Sequence, residues 1–93
     1  MRTIKTDKLI HQFEHVCWAL GYWQRRIELS ASLEKTQYCM QGLQRNEKLL
    51  PGILEVMALI NMPIDERASI KKREFNRGVQ AANSEQENIV QAA

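Results

Sequence analysis

The feature that most constrains this chain is a run of apolar side chains near its start. Leu9, Phe13, Val16, Leu20, Trp23 and Ile27 follow one another in steps of 4, 3, 4, 3 and 4. A helical turn of about 3.6 residues brings all six onto one stripe, and the alternation of three and four is the seam of a coiled coil or helical bundle. A strand, whose faces alternate every second residue, cannot gather them on one side. The remainder of the chain agrees. Gly and Pro number only 4 and 2 in 93 residues, no strand-length alternation of β-branched and polar residues occurs, and good helix formers dominate. The expected fold class is all-α: a small helical bundle with a coiled-coil-like seam. A helical chain this short buries a limited share of its surface, so oligomerisation is a natural way to add burial. The six seam residues are the expected oligomer interface.

Thr6 or Asp7 can cap the first helix. The seam slips at Ser30-Ala31-Ser32, and Leu29, Leu33, Thr36, Met40 and Leu43 resume the spacing in a shifted phase. A break at the serines, with a second helix ending near Asn46, is preferred here. One continuous helix over 6–47 is the alternative. Leu50-Pro51 reads as the start of a further helix, because proline suits a first helical position and disfavours helix in the residue before it. The segment 52–60 is apolar nearly all round and is expected to be buried. Met62-Pro63 ends it, and Asp65 caps a last helix over roughly 66–80, with Ala68, Phe75, Val79 and Ala82 as a weaker stripe. Residues 1–82 are thus expected to form a single helical domain, and 83–93 a flexible polar tail.

Apolar residues make up 44% of the chain and charged residues 26%, the balance of a folded domain. Thirteen basic against eleven acidic side chains leave a formal charge of +2, which does not suggest the uncompensated cations of a nucleic-acid binder. Direct contact with nucleic acid is therefore not expected. Cys17 and Cys39 form no C-x-x-C pair and point to a reducing compartment. No apolar run approaches membrane-spanning length, so a cytoplasmic location without membrane contact is expected.

Few residues suggest chemistry. His11 and His15 are four apart and can face the same way, as metal-binding pairs do. Two ligands do not make a structural zinc site, and exposed histidines are the plainer account. Neither cysteine has a charge partner that spacing guarantees. Gly21, Gly42, Gly52 and Gly78 are isolated and form no phosphate loop. No paired carboxylates suggest acid–base work. The chain is expected to be no enzyme and to carry no cofactor or metal.

Binding is the better-supported activity. His11, His15, Trp18 and Tyr22 form a second stripe in steps of 4, 3 and 4, followed by Arg25 and Arg26. Trp, Tyr and Arg are the residues most enriched at binding hot spots. Trp18, Tyr22, Arg25 and Arg26 are therefore the expected partner-binding surface, with membership of the internal core as the alternative for Trp18. The basic cluster Arg67, Lys71, Lys72, Arg73 and Arg77 is interspersed with Glu66 and Glu74 and reads as a solvated helix face. Residues 51–65 look a little like the last helix of phage-repressor helix-turn-helix domains, but that motif's turn is missing upstream. A small helical DNA-binding regulator is the second reading.

The last residues, Ala81-Ala82-Asn83-Ser84-Glu85-Gln86-Glu87-Asn88-Ile89-Val90-Gln91-Ala92-Ala93, resemble the degradation tag that bacterial tmRNA appends to stalled proteins. That tag also opens Ala-Ala-Asn, contains Glu-Asn and closes on an aliphatic stretch and Ala-Ala. The present segment has a longer, substituted middle and lacks the tag's tyrosine. The resemblance implies that Ala92 and Ala93 form a degradation signal. A short-lived helical binder of this size is similar in kind to small temperate-phage antirepressors. That resemblance implies a homo-oligomer that binds and inactivates a transcriptional repressor. A phage inhibitor of a host machine, such as an anti-CRISPR protein, has the same sequence features.

Overall fold

In a computed structural model, which describes the backbone of residues 4–92 and the side chains of 6–88, the chain forms three helices. They are α1, Ile4–Leu29; α2, Leu33–Leu59; and α3, Ile64–Ala92. No strand occurs among the described residues. The serine break is real. Ser32 leaves the helical region at φ −137° and ψ 154°, and its Oγ accepts a hydrogen bond from the Lys35 N–H at 3.2 Å. Ser30 Oγ donates to the Ile27 carbonyl at 2.9 Å, closing α1 from the other side. An N-cap of this kind contributes about 1 kcal/mol, enough to decide between one helix and two where no glycine or proline does so.

The turn between α2 and α3 is a Schellman motif. Asn61 adopts the left-handed conformation at φ 55°. The Met62 N–H bonds the Met57 carbonyl at 3.5 Å, and the Asn61 N–H bonds that of Ala58 at 3.2 Å. Asparagine is the usual substitute for glycine there, and the following apolar residue packs back on the helix. Met62 does so, sharing a buried cluster with Met57. The Pro63 carbonyl then accepts from Arg67 N–H at 3.1 Å, so α3 begins one residue after the proline and Asp65 lies inside its first turn.

Several expectations fail. In the segment 52–60, expected to be buried, only Met57 is buried, while Val56, Leu59 and Ile60 are exposed. The second helix does not end near Asn46, nor does a new one start at Pro51: α2 runs through both. Asn46 turns its side-chain amide back to the Gly42 carbonyl at 2.8 Å and caps nothing. The reason for continuity is burial. Cys39, Gly42, Asn46, Leu50, Ile53 and Met57 repeat in steps of 3, 4, 4, 3 and 4, and all are at least half-buried. An internal proline costs about 3 kcal/mol; burying several large apolar side chains at roughly 1.5–3 kcal/mol each outweighs it. Residues 83–92, expected as a flexible tail, instead form the last turns of α3, and Asn83 and Glu85 reach across to α1.

α1 lies between the other two helices. Trp23 meets Gly42 at one end of α2 while Phe13 meets Met57 at the other, so α2 runs antiparallel to α1. Glu14 pairs with Arg73 and Tyr22 with Glu85, so α3 runs parallel to it. No described Cα of α2 comes within 8 Å of one in α3. The two outer helices meet through side chains alone, where Ile10, Phe13 and Cys17 bring Met57, Met62 and Ile70 into one buried cluster. The result is an elongated body of 50 × 23 × 21 Å.

Candidate protein-interaction surfaces

The six seam residues face α2 of the same chain. Phe13 and Val16 are 2% and 3% exposed, which leaves them no surface for a second copy. Leu9 packs on the core, Leu20 and Ile27 are half-buried, and Trp23 covers Gly42 so closely that a Cβ there would lie 2.5 Å from the indole. Periodicity identified a buried stripe; the partner helix is internal.

The expected partner surface is also occupied from within. Gly21 and Gly78 let the backbones of α1 and α3 touch: a Cβ on Gly21 would lie 2.1 Å from the Phe75 carbonyl oxygen, and one on Gly78 would lie 2.0 Å from that of Trp18. That approach brings α3 onto the aromatic stripe. Tyr22 donates to the Glu85 carboxylate and accepts from Arg26 Nη1 at 2.7 Å. Arg25 Nε donates to Asn83 Oδ1 at 2.7 Å, and its Nη1 reaches Glu28 at the same distance. Tyr22, Arg25 and Arg26 thus clasp α3 with their side chains, and Trp18 meets it through its backbone carbonyl. Burial, followed by the hydrogen bond to Glu85, pushes the Tyr22 phenol above its usual pKa, so the hydroxyl stays a donor. The sequence did carry a signal for this contact: Gly78 and Ala82, four apart, put small residues on one face of α3.

An aromatic ladder runs along the same region. Trp18 stacks between His15 and Tyr22, with centroid distances of 6.2 and 5.0 Å. Tyr22, Trp23 and Tyr38 continue it edge to face, and Arg26 lies over both Tyr22 and Trp23. His11 pairs with Glu14 at 3.2 Å while His15 stacks, so the two histidines do different things. Among the described residues, no three His, Cys, Asp or Glu side chains cluster as a metal site would require. Cys17 is buried, which pushes its thiol up to about 11. Arg73 and Arg77 are engaged by Glu14 and the buried Glu74, thinning the basic cluster of α3. No described helix is long and apolar enough to cross a membrane. Of the expected degradation signal, Ala92 contributes backbone to the end of α3 and Ala93 lies outside the described residues.

Among the described residues, the large apolar side chains left open lie mostly on α2. Leu33, Tyr38, Met40, Leu49, Val56, Leu59 and Ile60 are exposed along it, and Ile64 follows just beyond the turn. Leu33, Leu59 and Ile64 are 75%, 78% and 73% exposed. Near the start of α2 a cleft of about 470 Å³ opens toward the end of α3, lined by Arg26, Leu29, Tyr38, Cys39, Ala82 and Glu85 among others. Splitting α2 at Pro51 concealed this face in the sequence. Comparison with protein-family models, characterised proteins and solved structures returns no match to this chain.

Proposed function

We propose that this chain is a non-enzymatic regulator that acts by binding protein, and most concretely a phage antirepressor that occupies and inactivates a transcriptional repressor. One observation carries the binding reading: α2 keeps large apolar side chains in water over its whole length, whereas among the described residues of α1 and α3 Ile64 alone of the large apolar side chains is exposed. Scattered exposed hydrophobes are ordinary on a protein surface; a row of them on one helix marks a surface awaiting a partner. The choice of a repressor as target rests on the sequence resemblance in size, helical architecture and C-terminal segment. The partner-binding residues move accordingly, from Trp18, Tyr22, Arg25 and Arg26 to the start of α2 at Leu33 and the adjoining cleft. The chain is proposed to work as a homo-oligomer.

Binding of this type is stoichiometric. Apolar area buried against the target favours whichever target conformation presents the complementary surface, and shifts its population. The test is light scattering after size exclusion on the chain, on the repressor from the same genome, and on their mixture. A defined larger complex, weakened by Leu33→Asp at the 75% exposed start of α2 with the helical spectrum unchanged, is the expected result. A mixture that elutes as its separate components would overturn the antirepressor reading.

A further inference from the structure

α2 carries a second seam outside the chain's own core. Tyr38, Arg45, Leu49, Gly52, Val56 and Leu59 follow in steps of 7, 4, 3, 4 and 3, and every one of them is exposed. Within it, Gly52 has nothing within 4 Å of where a Cβ would project, so it is a hole waiting beside the projecting Leu49. On the outer flank stand Lys48 and Glu55, seven residues apart and both exposed. Neither meets an opposite charge among the described residues. Seven residues separate them by about 10 Å at 1.5 Å per residue, too far to pair within one helix.

We infer that a second copy of this chain docks on this face, α2 against α2, antiparallel, about a two-fold axis near residues 50–52. The order of the charges selects that arrangement. In an antiparallel seam, flanking residues of the same heptad position face each other across the axis, and a two-fold contact repeats every pair. Lys48 then meets Glu55 of the second copy, and Glu55 meets its Lys48. The same register sets Leu49 over the bare backbone at Gly52 of the other copy, and Val56 against the aliphatic stem of its Arg45. A parallel pair places neither charge opposite its complement. The inference rests on the functional reading above only in taking the working form to be an oligomer.

The test is sedimentation equilibrium on the chain alone, over a concentration series. A dimer is expected, and Leu49→Asp is expected to weaken it at least about a hundredfold, since two apolar anchors are lost. K48E or E55K alone is expected to weaken it by roughly threefold to tenfold, and the two together to restore it. All three positions are exposed, so circular dichroism is expected to stay unchanged. A monomer throughout, a dimer indifferent to Leu49→Asp, or a failure of the double reversal to restore it overturns the inference. A dimer that behaves as described but ignores the repressor overturns the functional reading and leaves this one standing.

Discussion

α2 and α3 both lean on α1, yet they are finished to different degrees. α3 brings Ile70, Glu74, Gly78 and Ala82, one every four residues, onto α1 and buries each of them. Its other faces carry Lys72, Asn76, Gln80 and Glu87, all exposed. α2 buries Cys39, Gly42 and Met57 on α1, but leaves Leu33, Tyr38, Met40, Leu49, Val56 and Leu59 exposed to water. The two contacts also differ in kind. Glycines bring the α1 and α3 backbones together, and polar side chains then lock the register. On the α2 side, large apolar side chains interdigitate and tolerate a proline. The lesson is that one helix of a small bundle can hide nearly all its large apolar side chains within its own chain while its neighbour leaves a row of them in water.

The sharpest way to break the comparison is Gly78→Ala. Its new Cβ would fall against the α1 backbone, which cannot swing aside as a side chain can, so a loss of about 3 kcal/mol is expected in chemical denaturation. Next is alkaline pH. The Cys17 thiol, 1% exposed, titrates near 11 instead of 9.0. Its folded-state pKa is raised, so its stabilisation is complete below pH 9 and disappears as pH rises to 11. The loss is about 2–3 kcal/mol at 1.36 kcal/mol per unit. Denaturation midpoints across that window fall for the wild type, and Cys17→Ala flattens the slope; equal slopes would remove Cys17 from the core.

Two smaller substitutions sharpen the contrast. Tyr22→Phe deletes the hydroxyl shared by Glu85 and Arg26, and is expected to lower the melting stability by about 1 kcal/mol. An unchanged melting point would mean that the clasp contributes nothing. Gly52→Ala, made in the Leu49→Asp background so that only the helix responds, is expected to stabilise by about 0.5–1 kcal/mol. Destabilisation there would show that Gly52 sits against something in the chain. The two glycines should thus move in opposite directions.

Much of the fold was legible, for particular reasons. The 4-3-4-3-4 run from Leu9 to Ile27 is long enough to declare both helix and buried face. Ser30 and Ser32 announced a break through local hydrogen bonding, and Met62-Pro63 announced another. Pro51 misled because its penalty is local while the burial that overrides it is spread from Cys39 to Met57. The last turns of α3 were unreadable because Asn83 and Glu85 depend on Arg25 and Tyr22, some sixty residues away in sequence. The stripe of Trp18, Tyr22, Arg25 and Arg26, expected to face a partner, meets α3 for a related reason. A stripe of Trp, Tyr and Arg advertises a contact but not with whom, and Gly21 and Gly78, which identify α3 as the answer, looked isolated in one dimension.

Because α3 touches α1 and keeps its backbone clear of α2, the molecule comes apart in series. A pull on Ala92 across the helix axis, away from α1, would meet the bonds from Asn83 and Glu85 first, then the glycine contact, then the Arg73–Glu14 pair, each loaded alone in turn. That is the geometry of a zip fastener rather than of a lap joint. α3 could be drawn off from its end while α1 and α2 remained clasped behind it.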